Sequence, residues 1–309
     1  MKNNNIMLYN ANTSVLYYKE NYGIINDYYQ YIVKIIQKIL EQNLDLNINI
    51  TMDGNYNFNN SNKTLNININ YEHTLVKKGG RSVNPNTPFG NICDDNNEKY
   101  LVRIDNYHVL NNSDIIIDYS DPNIHNVKTC PQYNSFFKKL IYISSSIYEP
   151  YFIKENRNII TLTTFINTNE LRRKELLNTI SNEKIKHINI SDCFDKTKLQ
   201  NIYKNTKILI NIHQTPHHHT FEELRVLPAL ECGVIVISEK SPLNEIIPYN
   251  DLIIWANYGD IINKTKEVID NYNFFHDAIF SIKNINVLCN LPKINYDTLH
   301  NAIRQSIDV

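Results

Sequence analysis

Apolar and polar positions follow one another along the first half of the chain in blocks that predict an α/β domain. Near the start, "NNIMLYN" predicts a strand, and apolar residues from Ile25 to Gln42 recur at helical spacing. Further buried strands are predicted at "LNINITMDG", "TLNININY", "SDIIIDYS" and "KKLIYIS". The polar, proline-containing stretch from Ser144 to Asn158 indicates a linker. We therefore expect a first domain over residues 1–147.

The second half repeats this alternation more regularly. Strands are predicted at "NIITLTTF", "KHINIS", "TKILINIH", "VIVIS" and "DLIIWAN", and helices at "LRRKELLNTI", "DKTKLQNIYKN", Thr220 to Glu231 and Asp260 to Tyr272. Such alternation is typical of doubly wound parallel sheets, whose ligands bind where loops leave the carboxyl ends of strands. The predicted fold class is α/β, with a second domain over 148–285. A final helix, about Asn295 to Ile307, lies in a segment 286–309 that we expect to pack back on the first domain.

Charge and cysteine usage exclude several classes of function. The 309 residues carry a formal net charge of −1, which gives no basic footprint for nucleic acid or an anionic membrane. No apolar run approaches the roughly 20 residues that span a bilayer, and the first residues have no signal-peptide core. Five scattered cysteines without a C-x-x-C pair indicate reduced thiols and no structural zinc site. We expect a cytoplasmic protein without a membrane span.

Asparagine is far above its usual share, and codons of an AT-rich genome produce such a bias, as found in some viruses and microbes. We therefore interpret "NYNFNNSNKTLNININ" as a surface loop and strand rather than a ligand site. Glycine is scarce: seven occur, and neither G-x-G-x-x-G nor G-x-x-x-x-G-K-[ST] is present. Nicotinamide-binding and P-loop functions are therefore excluded.

The segment "NIHQTPHHHTFEELRVLPALECGVIVISE", from Asn211 to Glu239, joins two predicted strands through a polar loop and a helix. Thr220 and Glu223 have capping-box spacing, so the helix is expected to start at Phe221 and to offer free N–H groups to a phosphate. Glu222 is suited to paired sugar hydroxyls, and Arg225 either to phosphate oxygens or to an ion pair. Pro228 predicts a kink or a late start of this helix.

Two more loops have chemistry suited to ligands. Arg172 and Arg173 follow the strand-end loop "INTNE", where they either clamp a diphosphate or remain solvated surface charges. The segment Glu72 to Arg81, "EHTLVKKGGR", leaves a strand with charge and two glycines. A metal site formed by His213 and the run from His217 to His219 is a weaker alternative, because few acidic ligands lie nearby.

Five segments, taken in their order along the chain, are "SDIIIDYSDPNI", "INTNELRRKELL", "KILINIH", "FEELRVLPALECGVIVISE" and "DLIIWANYGDI". In this order they resemble nucleotide-sugar glycosyltransferases of the GT-B fold, in particular the C-terminal domain of the GT4-like group. The resemblance implies two Rossmann-like domains facing a cleft, with the sugar nucleotide on the second domain and a glycan or other hydroxyl acceptor on the first. It implies hexosyl transfer in glycan biosynthesis, with no metal or other cofactor. It also implies a donor site formed by Asn169, Arg172, Arg173, Asn211, His213, Phe221, Glu222 and Arg225.

The chain departs from that group at one pattern. Counted back from Gly233, the two glutamates that many retaining members carry fall on Thr220 and Pro228, so a retaining outcome stays open. An inverting enzyme needs a base for the acceptor hydroxyl, and our candidates lie in the first domain: Glu72, His73, Asp118 and Asp121. The lack of a D-x-D triplet disfavours metal-dependent GT-A enzymes. The alternatives are an inactive GT-B-like binding or scaffold protein and a metal-dependent hydrolase using the histidine cluster.

Overall fold

The computed structural model describes residues 4–10, 13–18, 24–41, 46–51, 64–71, 73–80, 86–104, 107–193 and 195–307. The chain divides into two compact units. The first consists of the described residues within 1–76, 82–144 and 292–309, and the second of those within 77–81 and 145–291. The units differ from the predicted ranges in three places: residues 77–81 and 145–147 belong to the second unit, and the C-terminal return to the first begins at Pro292.

The first unit is built around a six-stranded sheet with the order β1-β2-β3-β4-β8-β9. Only β1 and β2 pair antiparallel; the other neighbours are parallel. A smaller sheet has the order β5-β7-β6. The elements are β1 Asn4–Asn10, β2 Thr13–Tyr18, α1 Ile24–Leu40, β3 Asn47–Thr51, β4 Thr64–Asn70, β5 Val76–Lys77, β6 Phe89–Cys93, β7 Lys99–Leu101, α2 Tyr107–Asn111, β8 Ile115–Asp118, α3 Asp121–Lys128 and β9 Leu140–Tyr142.

The second unit contains a five-stranded sheet with the order β11-β10-β12-β13-β14, in which every neighbouring pair is parallel. Its elements are β10 Ile159–Thr163, α4 Leu171–Asn182, β11 His187–Asn189, α5 Lys196–Lys204, β12 Thr206–Asn211, α6 Glu223–Glu231, β13 Ile235–Glu239, β14 Ile253–Ala256, α7 Ile261–Asp270 and α8 Tyr272–Ile279. The last helix, α9 Ile282–Ile307, crosses the boundary between the units at Pro292. The predicted α/β fold class is confirmed.

Several elements differ from the sequence-based expectation. The loop expected after β1 contains a second strand, β2, while α3 and α8 had no prediction. α9 begins at Ile282 rather than near Asn295, because the helix continues through Pro292 instead of ending there. α6 begins at Glu223, two residues later than expected, and then runs through Pro228. A late start was one of the two outcomes predicted from that proline.

The asparagine-rich strand is not a surface strand. Asn66, Asn68 and Asn70 of β4 are each at most 7% exposed, and Asn66 accepts a hydrogen bond from the amide of Asn49 in β3 at 3.0 Å. The expectation of a surface strand is therefore wrong for residues 64–70, because polar side chains are buried where neighbouring strands offer them partners. The asparagines of 52–63 lie outside the described residues.

A buried arginine holds together the amino-terminal edge of the second sheet. Arg157 donates from Nε to the carbonyl of Ile153, from Nη1 to those of Tyr203 and Thr206, and from Nη2 to that of Cys232, at 2.7–3.1 Å. Tyr203 and Cys232 lie at the carboxyl ends of α5 and α6, where helices leave carbonyl groups unsatisfied. Arg157 therefore acts as a structural cap.

α6 ends on a glycine whose conformation the turn requires. Gly233 has φ +69, and its N–H donates to Leu230 while the next N–H, of Val234, donates to Ala229. This is the Schellman arrangement, which favours glycine. A Cβ at this position would lie 2.7 Å from the carbonyl oxygen of Tyr151.

Glu231, in the last turn of α6, is 1% exposed and binds the chain segment that leads into the second unit. Its carboxylate accepts hydrogen bonds from the hydroxyl of Ser146 and, at 2.9 Å, from the N–H of Tyr148. Its backbone carbonyl accepts from the N–H of Tyr151 at 2.7 Å. Burial raises the pKa of Glu231 to about 8.

Across the described part of the chain, no helix is both long and apolar enough to cross a lipid bilayer.

Candidate functional site

The strand order of the second sheet creates a place for a ligand. From β10 the chain moves outward to β11, and from there it returns to β12 on the opposite side of β10. The loops that follow β10 and β12, residues 164–170 and 212–222, therefore diverge from neighbouring strands. This is a topological switch point, where open parallel sheets bind their ligands at the carboxyl ends of the strands.

An ion pair ties three strand ends together at this edge. Arg172 donates from Nη2 to Glu239 at 2.5 Å and from Nη1 to the carbonyl of His213 at 3.2 Å. The other oxygen of Glu239 accepts the backbone N–H of His213 at 2.9 Å. The two charged side chains are 14% and 12% exposed. Because Glu239 neutralises Arg172 in a poorly solvated place, this arginine ties the strand ends together, and its role as a diphosphate clamp stays a prediction.

Tyr258 holds Arg172 from a second side. Its ring lies 4.1 Å from the guanidinium carbon, and its hydroxyl donates to the backbone carbonyl of Arg172 at 2.8 Å. The loops after β10 and β12 are also joined by Gln214, whose amide donates to Glu170 at 3.2 Å. Sequence analysis missed Glu239 and Tyr258, although Glu239 directly follows the predicted strand "VIVIS", a position that in itself indicates a strand-end carboxylate.

Arg173 and Asn169 differ sharply in exposure. Arg173 is 5% exposed, its guanidinium lies 4.8 Å from the centre of the Phe165 ring, and it donates to the carbonyl of Asn167 at 3.5 Å. Arg173 therefore packs inside the loop after β10 and supports it. Asn169 is exposed on the same loop, with its backbone N–H bound to the Asn167 side chain at 3.1 Å.

Arg225 is held by a neutral side chain at the end of β12. Its Nη1 donates to the side-chain oxygen of Asn211 at 2.8 Å, and the Asn211 amide donates to the Ser238 hydroxyl at 2.9 Å. Asn211 is 1% exposed and therefore fixed, whereas Arg225 is partly exposed. Arg225 forms no ion pair with any other described residue. A neutral amide thus orients a cation at the end of β12.

The start of α6 differs from the predicted capping box. The cap is Glu222, without a side-chain cap hydrogen bond, and Glu223 is fully buried with its carboxylate accepting from the hydroxyl of Tyr249 at 2.6 Å. The N–H groups of Glu223 and Arg225 donate to the backbone carbonyls of Phe221 and Glu222. These two N–H groups are therefore already bound, and fewer remain for a phosphate than the capping box predicted.

Phe221 anchors the same loop. It is 1% exposed and packs on Trp255 with ring centres 4.9 Å apart, while the indole N–H of Trp255 donates to Asn250 at 2.8 Å. This predicted donor residue is therefore a packing residue, which holds the segment before α6 against the end of β14.

The histidines of the loop do not converge. His213 binds the carbonyl of Lys240 at 2.9 Å and stacks on His219 at 5.4 Å, while His219 binds the carbonyl of Pro216 and His218 binds the hydroxyl of Thr215. Burial lowers the pKa of His219. Among the described residues, no three His, Cys, Asp or Glu side chains are grouped so that they could hold a metal ion. The described residues thus contain no set of metal ligands of the kind that the metal-dependent hydrolase alternative requires.

Part of the segment 72–81, which we expected to belong to a functional site, contacts the loop that carries the histidines. The N–H of Lys77 donates to the carbonyl of His217 at 2.8 Å. Gly79 has φ +97, and a Cβ there would lie 3.0 Å from the His217 ring. Residues 77–80, which belong to the second unit, therefore pack beside His217 within that unit. Glu72 and Arg81 lie outside the described residues.

The candidate bases of the first unit lie at the ends of neighbouring strands. Asp118, the last residue of β8, is fully buried, and its carboxylate accepts from the Asn70 amide at 2.7 Å and from the N–H of Ser120 at 2.8 Å. Burial raises the pKa of Asp118 to about 7. His73 follows β4, is partly exposed and lies edge-on to Tyr119, with ring centres 6.4 Å apart. Asp118 is thus enclosed by its partners, and His73 is the more accessible group.

Known proteins resemble the chain in sequence or in structure. No protein-family model matches the sequence. The chain is 28% identical over 202 residues to "Uncharacterized protein R358" of Acanthamoeba polyphaga mimivirus, a match that covers 61% of this chain and 68% of that protein. The solved "Crystal Structure of TarM" aligns with 9% identity and a TM-score of 0.48, over 88% of this chain and 58% of the TarM chain. The chain therefore spans less than two thirds of the length of TarM.

Proposed function

We propose that this chain is a metal-independent glycosyltransferase of the GT-B type, which binds a sugar nucleotide at the carboxyl edge of the second sheet. The proposal is carried by one observation: Arg225, partly exposed and without an ion pair to any described residue, is held by buried Asn211 beside the switch point. Such a cation is suited to the diphosphate of a sugar nucleotide, because a guanidinium forks onto phosphate oxygens.

The chemistry follows from the charges that develop during transfer. Negative charge grows on the departing diphosphate, and a guanidinium that is already held in place stabilises it with little reorganisation. Asn211 and Ser238 hold Arg225 in position, while the Arg172–Glu239 pair fixes the shape of the loops around it. Glu222, at the cap of α6, is suited to sugar hydroxyls rather than phosphate.

The acceptor requires a base if the reaction inverts the sugar carbon. We assign that role to His73 in preference to Asp118, because Asp118 is fully buried and already accepts two hydrogen bonds. The imidazole takes the acceptor proton as the hydroxyl oxygen bonds to the sugar carbon and the diphosphate leaves. The viral relative and the asparagine-rich composition are compatible with a glycan-building enzyme encoded by an AT-rich viral genome.

The first test is thermal unfolding of the full chain with UDP, GDP, dTDP, CMP and their sugar conjugates, with and without EDTA. A ligand at 100 times its dissociation constant adds about 2.7 kcal/mol, which raises the midpoint by a few degrees. We expect one nucleotide to raise the midpoint whether or not EDTA is present. Arg225→Ala should weaken its binding about tenfold or more, because a hydrogen bond to a charged group is lost. Lys174→Ala, an exposed change on α4, is the matched control.

Release of the nucleotide from the bound conjugate then separates transfer from binding. Slow hydrolysis of the sugar conjugate that His73→Ala abolishes would support catalysis. Selective binding with no release would favour the inactive binding protein instead. If none of these nucleotides moves the midpoint, the donor site proposed here is wrong.

A further inference from the structure

Three hydroxyl groups at the carboxyl edge of the second sheet have no hydrogen-bond partner. They belong to Thr164, directly after β10, to Thr220, in the loop that follows β12, and to Ser241, two residues after β13. Each oxygen is buried, and the whole residues Thr220 and Ser241 are 4% and 6% exposed. Within the described chain, these hydroxyls therefore stand on the loops of three adjacent strands, at the switch point.

A buried hydroxyl without a hydrogen-bond partner destabilises the folded protein. Leaving one unsatisfied costs about 1–3 kcal/mol, and native proteins rarely do so without a reason. Elsewhere in the same unit buried threonine hydroxyls are satisfied: Thr206 donates to the carbonyl of Ile202 and Thr265 to that of Ile261, both at 2.8 Å. Among the described residues of the second unit, four buried hydroxyls lack a partner: that of Tyr272, in α8, and the three at the strand ends where a ligand is expected to bind.

The surroundings of Thr220 indicate the kind of ligand. Glu222 follows it by two residues, and its carboxylate is partly exposed, so negative charge lies close by. A phosphate would be repelled there, whereas a neutral sugar hydroxyl both donates to a carboxylate and pairs with a threonine hydroxyl, which is donor and acceptor at once. The local chemistry therefore favours a polyhydroxyl group.

We propose that Thr220, together with Thr164 and Ser241, binds sugar hydroxyls of the nucleotide-sugar donor and so helps to select the sugar. This inference rests on the proposed function and adds residues that the arginine-based site does not include. The phosphate end of the donor belongs to Arg225 and the sugar end to these hydroxyls.

The test compares Thr220→Val with Thr206→Val, each of which removes a buried hydroxyl while keeping a branched side chain. Without ligand, Thr206→Val should lower the unfolding midpoint by about 2–4 °C, because it loses a hydrogen bond. Thr220→Val should leave the midpoint unchanged or raise it, because it removes a group with no partner. Thr164→Val and Ser241→Ala should behave like Thr220→Val.

Binding is then measured by calorimetry with the sugar nucleotide that stabilises the wild-type chain, with its nucleoside diphosphate and with pyrophosphate. Thr220→Val should bind the sugar nucleotide about threefold to tenfold more weakly, while Thr206→Val binds it normally. A loss limited to the conjugate assigns the hydroxyl to the transferred sugar, whereas an equal loss with the nucleoside diphosphate would place it on the ribose and overturn the proposal.

Other results would overturn the proposal. If Thr220→Val destabilises the free protein as much as Thr206→Val does, its hydroxyl has a structural partner. If the sugar nucleotide binds the wild type and Thr220→Val equally, or if pyrophosphate shows the same loss, the sugar assignment is wrong while the proposed function stands. If no sugar nucleotide binds the wild type, the proposed function fails, and this assignment fails with it.

Discussion

The ion pair between Arg172 and Glu239 joins the strand ends at the candidate site, and its removal is a sharp test of the arrangement. Glu239 uses one oxygen for the guanidinium and the other for the N–H of His213, so it satisfies two donors at once. Glu239→Gln keeps the shape but replaces one oxygen by an amide NH₂, which then faces a donor. One of the two hydrogen bonds must therefore be lost, together with the negative charge.

The expected cost follows from the burial of the pair. Removing one partner of a fully buried pair costs about 3–5 kcal/mol, whereas an exposed pair is worth about 0–1 kcal/mol. The side chains here are 14% and 12% exposed, which is close to the buried case. Arg172 still keeps the His213 carbonyl and the Tyr258 ring as partners. We therefore expect Glu239→Gln to lower the free energy of unfolding by about 2–3 kcal/mol.

The assay is urea unfolding followed by the fluorescence of Trp255, the single tryptophan of the chain. Trp255 lies in β14, which pairs with β13, so its signal reports the second unit. Glu239→Gln, Arg172→Met and the double variant form a thermodynamic cycle whose coupling energy isolates the pair. Glu183→Gln is the control, because Glu183 forms a pair of similar length with Lys266 but both side chains are more than 40% exposed.

A coupling energy below about 0.5 kcal/mol, the usual error of additivity, would refute the view that this pair ties the strand ends together. The same conclusion would follow if Glu183→Gln cost as much as Glu239→Gln.

Three further predictions concern the second unit. The pKa of Glu231 is about 8 when folded, against 4.5 for an ordinary glutamate, so folding binds its proton more tightly and stability should fall as pH rises between these values. Urea unfolding at pH 6.5 and 8.5 should show this loss, and Glu231→Gln should remove most of it; an unchanged pH dependence in the variant would refute the assignment. Arg157→Met should lower the free energy of unfolding by about 3 kcal/mol or more, because four carbonyl groups lose the donor that Arg157 provides. Lys154→Met, which removes an exposed ion pair with Asp277, should lower it by under about 1 kcal/mol. Equal unfolding midpoints of the two variants would contradict the capping role of Arg157. Gly233→Ala should lower the free energy of unfolding by about 1–2 kcal/mol because of the positive φ, and further because its Cβ would contact Tyr151. If the variant melted at the wild-type temperature, the described geometry of this turn would be wrong.

Periodicity alone was sufficient to predict most of the elements. The all-parallel second sheet follows from apolar runs separated by helical segments, because each strand buried on both faces must be apolar and each crossover needs a helix. β2 was missed because it pairs as a short hairpin strand beside a polar loop, and α9 was predicted too short because proline usually ends a helix. In α9, contacts with the rest of the fold outweigh the hydrogen bond that Pro292 cannot make.

The sequence by itself determined which residues lie at the carboxyl ends of the strands, since strand boundaries depend on local pattern. It placed Arg172, Arg173, Asn211 and Arg225 at one edge of a parallel sheet, and the structure agrees with that placement. The sequence did not determine the roles of these residues, because an arginine has the same type and charge whether it is paired, buried or accessible to a ligand. Only the tertiary structure brought Glu239 to Arg172, Phe165 to Arg173 and Asn211 to Arg225. These partners lie eight to 67 residues away along the chain. The free energy of each charge depends on its neighbours and its access to water, which no local pattern records.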